Sequence, residues 1–179
     1  DTADEAMLKC FDTQGLFHAS HGGALITVAD REKAGAVEVA KALSDAGWTL
    51  YATDGTSAYL ASHGILTERV LKFSQSANGQ SGKRIGEVLA RGQVHVVVNM
   101  FTKGEHVERD GFKIRALASA RGIPVLTCMD TSVAFAKAVA SKADLKVVAL
   151  QDVLSAGTPS EWGKGFLGLG RRASETVST

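Results

Sequence analysis

Threonine, lysine and glycine residues occur in this sequence in a combination that can bind a small anion. Thr53 and Thr56 flank Gly55 directly after an apolar segment, and Lys33 and Lys72 follow or end two other apolar segments. Threonine hydroxyls donate hydrogen bonds to phosphate or carboxylate oxygens, and lysine supplies the compensating charge. Glycine lets the backbone approach the ligand closely, and a helix that follows would point its free N–H groups at the anion. These residues therefore predict a site for a small anionic ligand.

A purely local role is the alternative for the same loop. Thr56 or Ser57 would cap the following helix, and Gly55 would form the turn before it. Taken alone, the loop favours this local role. The choice therefore depends on which other polar groups the fold brings to the same place.

Apolar runs bounded by turn residues alternate with segments of helical periodicity along most of the chain. This alternation is typical of βα units, so the sequence predicts an α/β fold with a mostly parallel sheet. The expected strands are residues 23–28, 48–52, 66–73, 93–99 and 124–127, and the expected helices are residues 33–46, 57–62, 83–91, 111–121 and 131–142. Residues 74–82 and 100–110 are expected to be polar loops.

Ligands of an open α/β sheet bind beyond the carboxyl ends of its strands. Four residues of suitable type lie at or just after such ends: Lys33, Thr53, Lys72 and Asn99. Their coincidence favours a binding site over the local role. Asp30 and Asp54 are the carboxylates expected beside this site, and capping or orienting Lys33 is favoured over acid–base catalysis.

Composition excludes several classes of function. The chain has 179 residues, a net charge of +1 and 6% aromatic residues. It therefore has neither the positive charge that attracts nucleic acid nor enough aromatic residues to stack on bases, which predicts no nucleic-acid partner. The apolar runs are far too short to span a bilayer, which predicts no membrane partner. Five histidines and two cysteines show no metal-ligand spacing. No signal peptide is evident, which predicts a cytoplasmic location and leaves a mitochondrial one open.

The chain is expected to contain one main domain with two flanking segments. Residues 1–21 are interpreted as a connection from a preceding domain, with one amphipathic helix at 5–11. Residues 22–156 form the predicted domain, in which 145–150 is a further candidate edge strand. Residues 157–179 are rich in Gly, Ser and Thr, which predicts a flexible tail or linker. The absence of an initiating Met agrees with a region excised from a longer chain.

Several motifs of the chain resemble one known family in their order and spacing. They are Gly23-Ala24-Leu25-Ile26-Thr27-Val28-Ala29-Asp30, Trp48-Thr49-Leu50-Tyr51-Ala52-Thr53-Asp54-Gly55-Thr56, Val97-Val98-Asn99, Arg109-Asp110-Gly111-Phe112-Lys113-Ile114-Arg115 and Gly122-Ile123-Pro124. Over roughly residues 22–140 they resemble the methylglyoxal-synthase-like domain. The resemblance implies a three-layer Rossmann-like sandwich with a mostly parallel five-stranded sheet.

The family includes two enzymes whose catalytic motifs can be compared with this sequence. Methylglyoxal synthase has a catalytic aspartate in a Gly-Gly-Asp-Gln-Gln stretch, where this chain has Asn78-Gly79-Gln80-Ser81-Gly82-Lys83-Arg84 without a carboxylate. The cyclohydrolase domain of bifunctional purine synthesis has a Lys-Thr-Leu-His-Pro-Lys stretch that this sequence lacks. The resemblance therefore implies no catalytic residue in this domain.

The prefix Asp4-Glu5-Ala6-Met7-Leu8-Lys9-Cys10-Phe11 favours a third relative. It resembles the segment by which the large subunit of carbamoyl phosphate synthetase enters its C-terminal regulatory domain. The resemblance then implies an allosteric domain that controls carbamoyl phosphate synthesis for pyrimidine and arginine biosynthesis. ATP and a divalent metal would act in the parent ligase, with no cofactor in this domain, and the partners would be the remaining synthetase domains and the glutaminase.

The resemblance also implies which residues hold the effector. Together with Gly55 from the loop, the expected effector-binding residues are Thr27, Lys33, Thr53, Gly55, Thr56, Lys72 and Asn99. Relatives activated by N-acetylglutamate tend to have an aromatic residue where this chain has Lys72. A lysine there favours a phosphorylated effector, such as a uridine or inosine nucleotide or phosphoribosyl pyrophosphate. The alternatives are a stand-alone lyase that converts dihydroxyacetone phosphate to methylglyoxal, or an interdomain module without a ligand.

Overall fold

The computed structural model describes residues 3–13, 22–73, 83–100, 105–141 and 151. The chain divides into two compact units, residues 1–143 and residues 144–179. Gln151, which is helical, is the one described residue of the second unit. The predicted loop 74–82, strand 145–150 and tail 157–179 lie outside the described residues, and the predicted domain boundaries stay predictions.

The described part of the first unit contains one sheet of six parallel strands. Its strands are β1 Gly23–Thr27, β2 Thr49–Thr53, β3 Glu68–Leu71, β4 Lys83–Arg84, β5 Val96–Asn99 and β6 Val125–Leu126, in the order β4-β3-β2-β1-β5-β6. The count exceeds the expected five because Lys83 and Arg84, predicted to begin a helix, pair with the edge of β3. The parallel α/β fold itself is confirmed.

Helices cover both faces of this sheet. They are α1 Ala3–Asp12, α2 Lys33–Asp45, α3 Asp54–Ser62, α4 Ile85–Ala90, α5 Glu105–Ser119 and α6 Met129–Ser141, with a 3₁₀ helix, Asp30–Glu32, before α2. One core cluster joins the sheet to α1, α2, α3 and α6, and a second joins it to α4 and α5. The result is a three-layer sandwich. None of the helices within the described ranges is both long and apolar enough to cross a membrane.

The central strands β1 and β5 are apolar because both of their faces are covered. All five residues of β1 are buried, and successive side chains enter opposite cores: Leu25 packs on the α4 and α5 side, Ile26 on the other. This follows from the two-residue period of a strand. In β5, Val97 and Val98 divide in the same way. The run of valines that predicted a strand is therefore the centre of the sheet.

The end of α2 is set by Gly47, as the sequence predicts. Gly47 has a φ of +83°, the left-handed conformation that glycine adopts without strain. The Trp48 N–H donates to the Leu43 carbonyl at 2.9 Å, and the Gly47 N–H donates to the Ser44 carbonyl at 2.9 Å. These two bonds satisfy two of the carbonyls in the last turn of α2, and the chain returns to the sheet at Thr49, where β2 begins.

The prediction for residues 100–121 is wrong in one respect. The loop was expected to continue to Asp110, whereas α5 already begins at Glu105. The buried face of this helix is formed by Asp110, Ile114 and Ala118, at a spacing of four residues. Its first member is a carboxylate, which a search for apolar periodicity does not register. The early start of α5 matters because it aims Asp110 at the carboxyl end of the sheet.

The N-terminal helix α1 packs on the same core as the sheet. The ring of Phe11 contacts the ring of Phe135 in α6 edge to face, with centroids 5.0 Å apart and an interplanar angle of 86°. Phe135 in turn meets Trp48 at 5.8 Å. The predicted helix 5–11 is thus present, and its apolar face is buried against α6. That it connects to a preceding domain stays a prediction.

Candidate functional site

A cavity of about 260 Å³ lies at the carboxyl ends of β1, β2 and β5. Strand order reverses at β1, which has β2 on one side and β5 on the other. Thr27 ends β1 and is in register with Asn99, which ends β5, and Thr53 ends β2. In open α/β sheets this reversal opens a crevice that binds ligands. The cavity therefore occupies the place where this fold most often holds a small molecule.

The structure brings together all of the residues that the sequence predicts to bind an effector. Each of the seven lines this one cavity: Thr27, Lys33, Thr53, Gly55, Thr56, Lys72 and Asn99. They arrive from three strand ends, from the first turns of α2 and α3, and from the residue after β3. Their grouping is a structural fact, and their role in binding stays a prediction.

The first turn of α3 forms one wall of the cavity. Helix α3 begins at Asp54, three residues before the predicted start at Ser57, so Gly55 is helical and does not form a turn. Thr53 is the N-cap, yet its side chain makes no capping hydrogen bond, and Ser57 hydrogen-bonds Thr67 at 2.8 Å. The local role, in which Thr56 or Ser57 caps the helix, is therefore wrong. The Thr53 hydroxyl and the first N–H groups of α3 remain for a ligand.

Two lysines line the cavity and provide part of its positive charge. Lys33 Nζ lies 2.8 Å from Asp30 Oδ1, and the Lys33 side chain is only 18% exposed. Asp30 thus orients Lys33, in agreement with the sequence analysis. The hydrogen bond and the charge of Lys33 lower the pKa of the Asp30 carboxyl, and the charge of Lys72 lowers it further. The carboxylate therefore stays ionised at neutral pH, within the field of both lysines.

A hydrogen-bonded chain of three side chains forms another wall. Arg115 Nη1 donates to Asn99 Oδ1 at 2.8 Å, and Asn99 Nδ2 donates to Thr27 Oγ1 at 2.7 Å. A guanidinium cannot accept a hydrogen bond, so the amide oxygen of Asn99 must face Arg115 and its NH₂ must face Thr27. Thr27 Oγ1 then accepts from Asn99, which leaves its own hydrogen to be donated elsewhere. This wall consequently favours ligand groups that accept hydrogen bonds.

The described residues offer no evident metal site. No group of three or more His, Cys, Asp or Glu side chains comes close enough there to hold an ion. The donors that do converge are ammonium, guanidinium, amide and hydroxyl groups, which suit an anion and not a cation.

The model of the MGS-like domain matches residues 35–127, just over half of the chain. The chain belongs to the MGS-like domain family. The matched region includes the first turn of α3, Lys72 and the Asn99 end of β5, whereas Thr27 and Lys33 precede it. The cavity of this MGS-like domain is therefore built partly from residues before the matched stretch.

Two charged cavity residues of the MGS-like domain are not indicated by the sequence patterns. Asp110 and Arg115 both line the cavity from α5, although the sequence pattern places Asp110 in a loop and does not mark Arg115. The available signal was the helix itself: Asp110 and Ile114, like Gly111 and Arg115, lie four residues apart after the end of β5. Conversely, Asp54 does not line the cavity, because its carboxylate pairs with Arg69 of β3.

Gly55 of the MGS-like domain allows an experiment in which stability and binding should change in opposite directions. A Cβ at this position would meet only Lys33 Nζ, at 3.7 Å, so alanine fits without a clash. Because alanine is the better helix former, Gly55→Ala should leave the free energy of unfolding unchanged or raise it by up to about 1 kcal/mol. The added methyl group would occupy the approach to Lys33 and to the first turn of α3. We expect calorimetry to show a phosphorylated ligand bound at least about tenfold more weakly.

Gly86 provides the matched control for this experiment. It is the second residue of α4, as Gly55 is of α3, and it does not line the cavity. A Cβ there would contact Phe73 at 3.4 Å. Gly86→Ala should therefore leave ligand affinity unchanged. Equal affinities for Gly55→Ala and the unmodified chain would mean that no ligand approaches α3 at this point.

Proposed function

We propose that this chain is an effector-binding regulatory domain of carbamoyl phosphate synthetase that holds a small phosphorylated metabolite. The observation that carries the proposal is the convergence of Lys33, Lys72 and the first turn of α3 on one cavity. Phosphate oxygens require several hydrogen-bond donors and a positive potential, and a helix N-terminus together with lysines provides both.

The character of the remaining walls supports a metabolite larger than phosphate alone. The cavity of about 260 Å³ lies just below the range of about 300–1,000 Å³ typical of small-molecule sites. Val28, Met100 and Ile114 provide apolar surface beside the Asn99 and Arg115 side chains. A uridine or inosine nucleotide, or phosphoribosyl pyrophosphate, combines a phosphate with a polar sugar that could use these groups.

The prefix of the chain supports the assignment to carbamoyl phosphate synthetase. Residues 4–11 resemble the entry segment of its regulatory domain, and they lie within α1, which packs on α6 through Phe11 and Phe135. In such a protein the parent ligase would use ATP and a divalent metal at sites outside this chain. Effector binding to this domain would change the activity of the ligase, with a coupling free energy between the two sites of about 1–3 kcal/mol.

A lyase acting on dihydroxyacetone phosphate is the second candidate, and Asp110 is the observation that favours it. This carboxylate is 8% exposed and lines the same cavity, where a base for proton abstraction would be needed. Against it, residues 78–84 contain no carboxylate where methylglyoxal synthase has its catalytic aspartate. Asp30, the other carboxylate on the described walls, is paired with Lys33.

Calorimetric titration of the chain would test the proposal directly. We expect at least one of uridine monophosphate, uridine triphosphate, inosine monophosphate and phosphoribosyl pyrophosphate to bind, and N-acetylglutamate not to bind. Binding by N-acetylglutamate alone would contradict the inference from Lys72. Binding by none of the five would leave an interdomain module without a ligand as the function.

Enzyme assays would separate the regulatory domain from the lyase. Incubation with dihydroxyacetone phosphate should yield no methylglyoxal above the rate without protein. Turnover that Asp110→Asn abolishes, while phosphate binding persists, would support the lyase instead. In the intact synthetase, the coupling between the effector and ATP must be reciprocal. Saturating ATP should therefore change the affinity for the effector by the same factor by which the effector changes the affinity for ATP.

A further inference from the structure

The ammonium group of Lys33 has two neighbours in the structure, Asp30 and Tyr59, and it lies close to Gly55. It lies 2.8 Å from Asp30 Oδ1 and 5.6 Å from the centre of the Tyr59 ring, and 3.7 Å from where a Cβ on Gly55 would stand. The side chain as a whole is only 18% exposed, and its ammonium group faces the cavity. A cation on a cavity wall attracts a nearby carboxylate or an anionic ligand. Asp30 provides such a carboxylate in the structure.

The side chain of Asp30 lies almost entirely in solvent. Its side chain is 94% exposed, and it is the first residue of the 3₁₀ helix Asp30–Glu32, which has no buried residue and no side-chain cap from Ala29. The carboxylate can therefore leave Lys33 without disturbing the core. Its lowered pKa, caused by Lys33 and then by Lys72, shows that it lies in the field of both cavity lysines. An anionic ligand would seek the same field.

We propose that Asp30 is a built-in competitor for the cavity: its carboxylate occupies the anion position on Lys33, and an incoming anionic group must displace it. This inference rests on the proposed function, and it concerns how that function is regulated. The apparent affinity for the anion equals the intrinsic affinity multiplied by the fraction of molecules in which the Asp30–Lys33 pair is open. Ligand binding is thereby coupled to release of Asp30 in the turn before α2. The site then favours anions that are abundant or that form several contacts with the cavity.

The experiment compares Asp30→Asn with Glu32→Gln in the full chain. Both variants remove one negative charge from the same 3₁₀ helix, but Glu32 pairs with Arg31 and not with a cavity lysine. The probes are inorganic phosphate and acetate, titrated while the amide signals of Gly55 and Thr56 are followed by NMR. Asp30→Asn should bind both probes about fivefold more tightly, because the neutral amide no longer competes for the anion position on Lys33. Glu32→Gln should stay within about twofold of the unmodified chain.

Each other outcome has a distinct meaning. Displacement raises the affinity for both anions by the same factor, whereas long-range repulsion would raise it more for the dianion and would fade with salt. A gain for phosphate alone, or an equal gain in Glu32→Gln, would therefore overturn the inference. Weaker binding by Asp30→Asn would show that Asp30 supports the ligand. If the unmodified chain binds phosphate and Asp30→Asn matches it, the inference fails while the proposed function stands. If neither binds phosphate, the inference fails, and the proposed function fails with it only when the nucleotides and phosphoribosyl pyrophosphate also do not bind.

A second measurement needs no variant. The carboxyl signal of Asp30 can be titrated with pH by NMR, with and without saturating phosphate. Displacement removes the Lys33 hydrogen bond from Asp30 and puts a dianion beside it, so the pKa of Asp30 should rise when phosphate is bound. An unchanged pKa would contradict displacement.

Discussion

Replacement of Phe135 by alanine is expected to lower the free energy of unfolding by about 3–5 kcal/mol. Phe135 is fully buried in α6, and its ring contacts Phe11 of α1 and Trp48 edge to face, at 5.0 and 5.8 Å. Removing the ring deletes both aromatic contacts and leaves a cavity between α1, α6 and the sheet. Urea unfolding followed by far-UV circular dichroism would measure the change.

Phe112→Ala is the control for the loss of an aromatic ring. Phe112 lies on α5 and is 65% exposed, so its replacement should change stability by no more than about 0.5 kcal/mol. Phe11→Ala should reproduce part of the loss seen with Phe135→Ala, because the two rings share one contact. If Phe11→Ala has no effect, α1 contributes nothing to this core and behaves as a linker.

Replacement of Lys33 by methionine is expected to weaken a phosphorylated ligand by about 10- to 150-fold, equivalent to about 1.5–3 kcal/mol. Methionine keeps an unbranched apolar side chain but removes the charged donor, which lies 5.6 Å from the centre of the Tyr59 ring and close to Gly55 of α3. The loss should appear in the dissociation constant measured by calorimetry, whereas the urea midpoint should change little. The nucleotide that binds most tightly in the titration is the appropriate ligand.

Lys137→Met provides the matched change of charge. Lys137 lies on α6, pairs with Glu38 of α2, and is 58% exposed and absent from the cavity walls. The Lys137→Met variant should have a dissociation constant within about twofold of that of the unmodified chain, because an exposed charge at a distance is largely screened by salt. Equal losses for Lys33→Met and Lys137→Met would point to a general charge effect and against a direct contact.

Much of the fold follows from short-range patterns. The valines of β5 and the alternation of apolar runs with helical segments predict a parallel α/β sheet, because strands covered on both faces must be apolar throughout. Gly47 marks the end of α2, since the left-handed residue after a helix is most often glycine. Boundaries that depend on polar residues were less predictable. The strand Lys83–Arg84 has no apolar period and is formed by pairing with β3, and α5 begins at Glu105, among polar residues.

The residues of the candidate site also divide into those that the sequence indicates and those that only the packing of α5 brings to the cavity. Lys33, Lys72, Thr53 and Asn99 could be chosen from the sequence because each lies at or just after the end of a strand, and parallel strands end at one edge. Asp110 and Arg115 could not be chosen in this way. They reach the cavity from the second and third turns of α5, and their position depends on how that helix packs on β5.

The loop at Thr53–Thr56 illustrates what the sequence by itself determined: residue types that suit an anion, and an edge of the sheet where they would meet. Tertiary structure alone decided how each group is used. It begins α3 at Asp54, so that Gly55 is helical and Thr53 keeps its hydroxyl uncommitted to capping. It also pairs Asp54 of α3 with Arg69 of β3. The physical reason is that an ion pair depends on where two elements cross, and no local pattern encodes that distance.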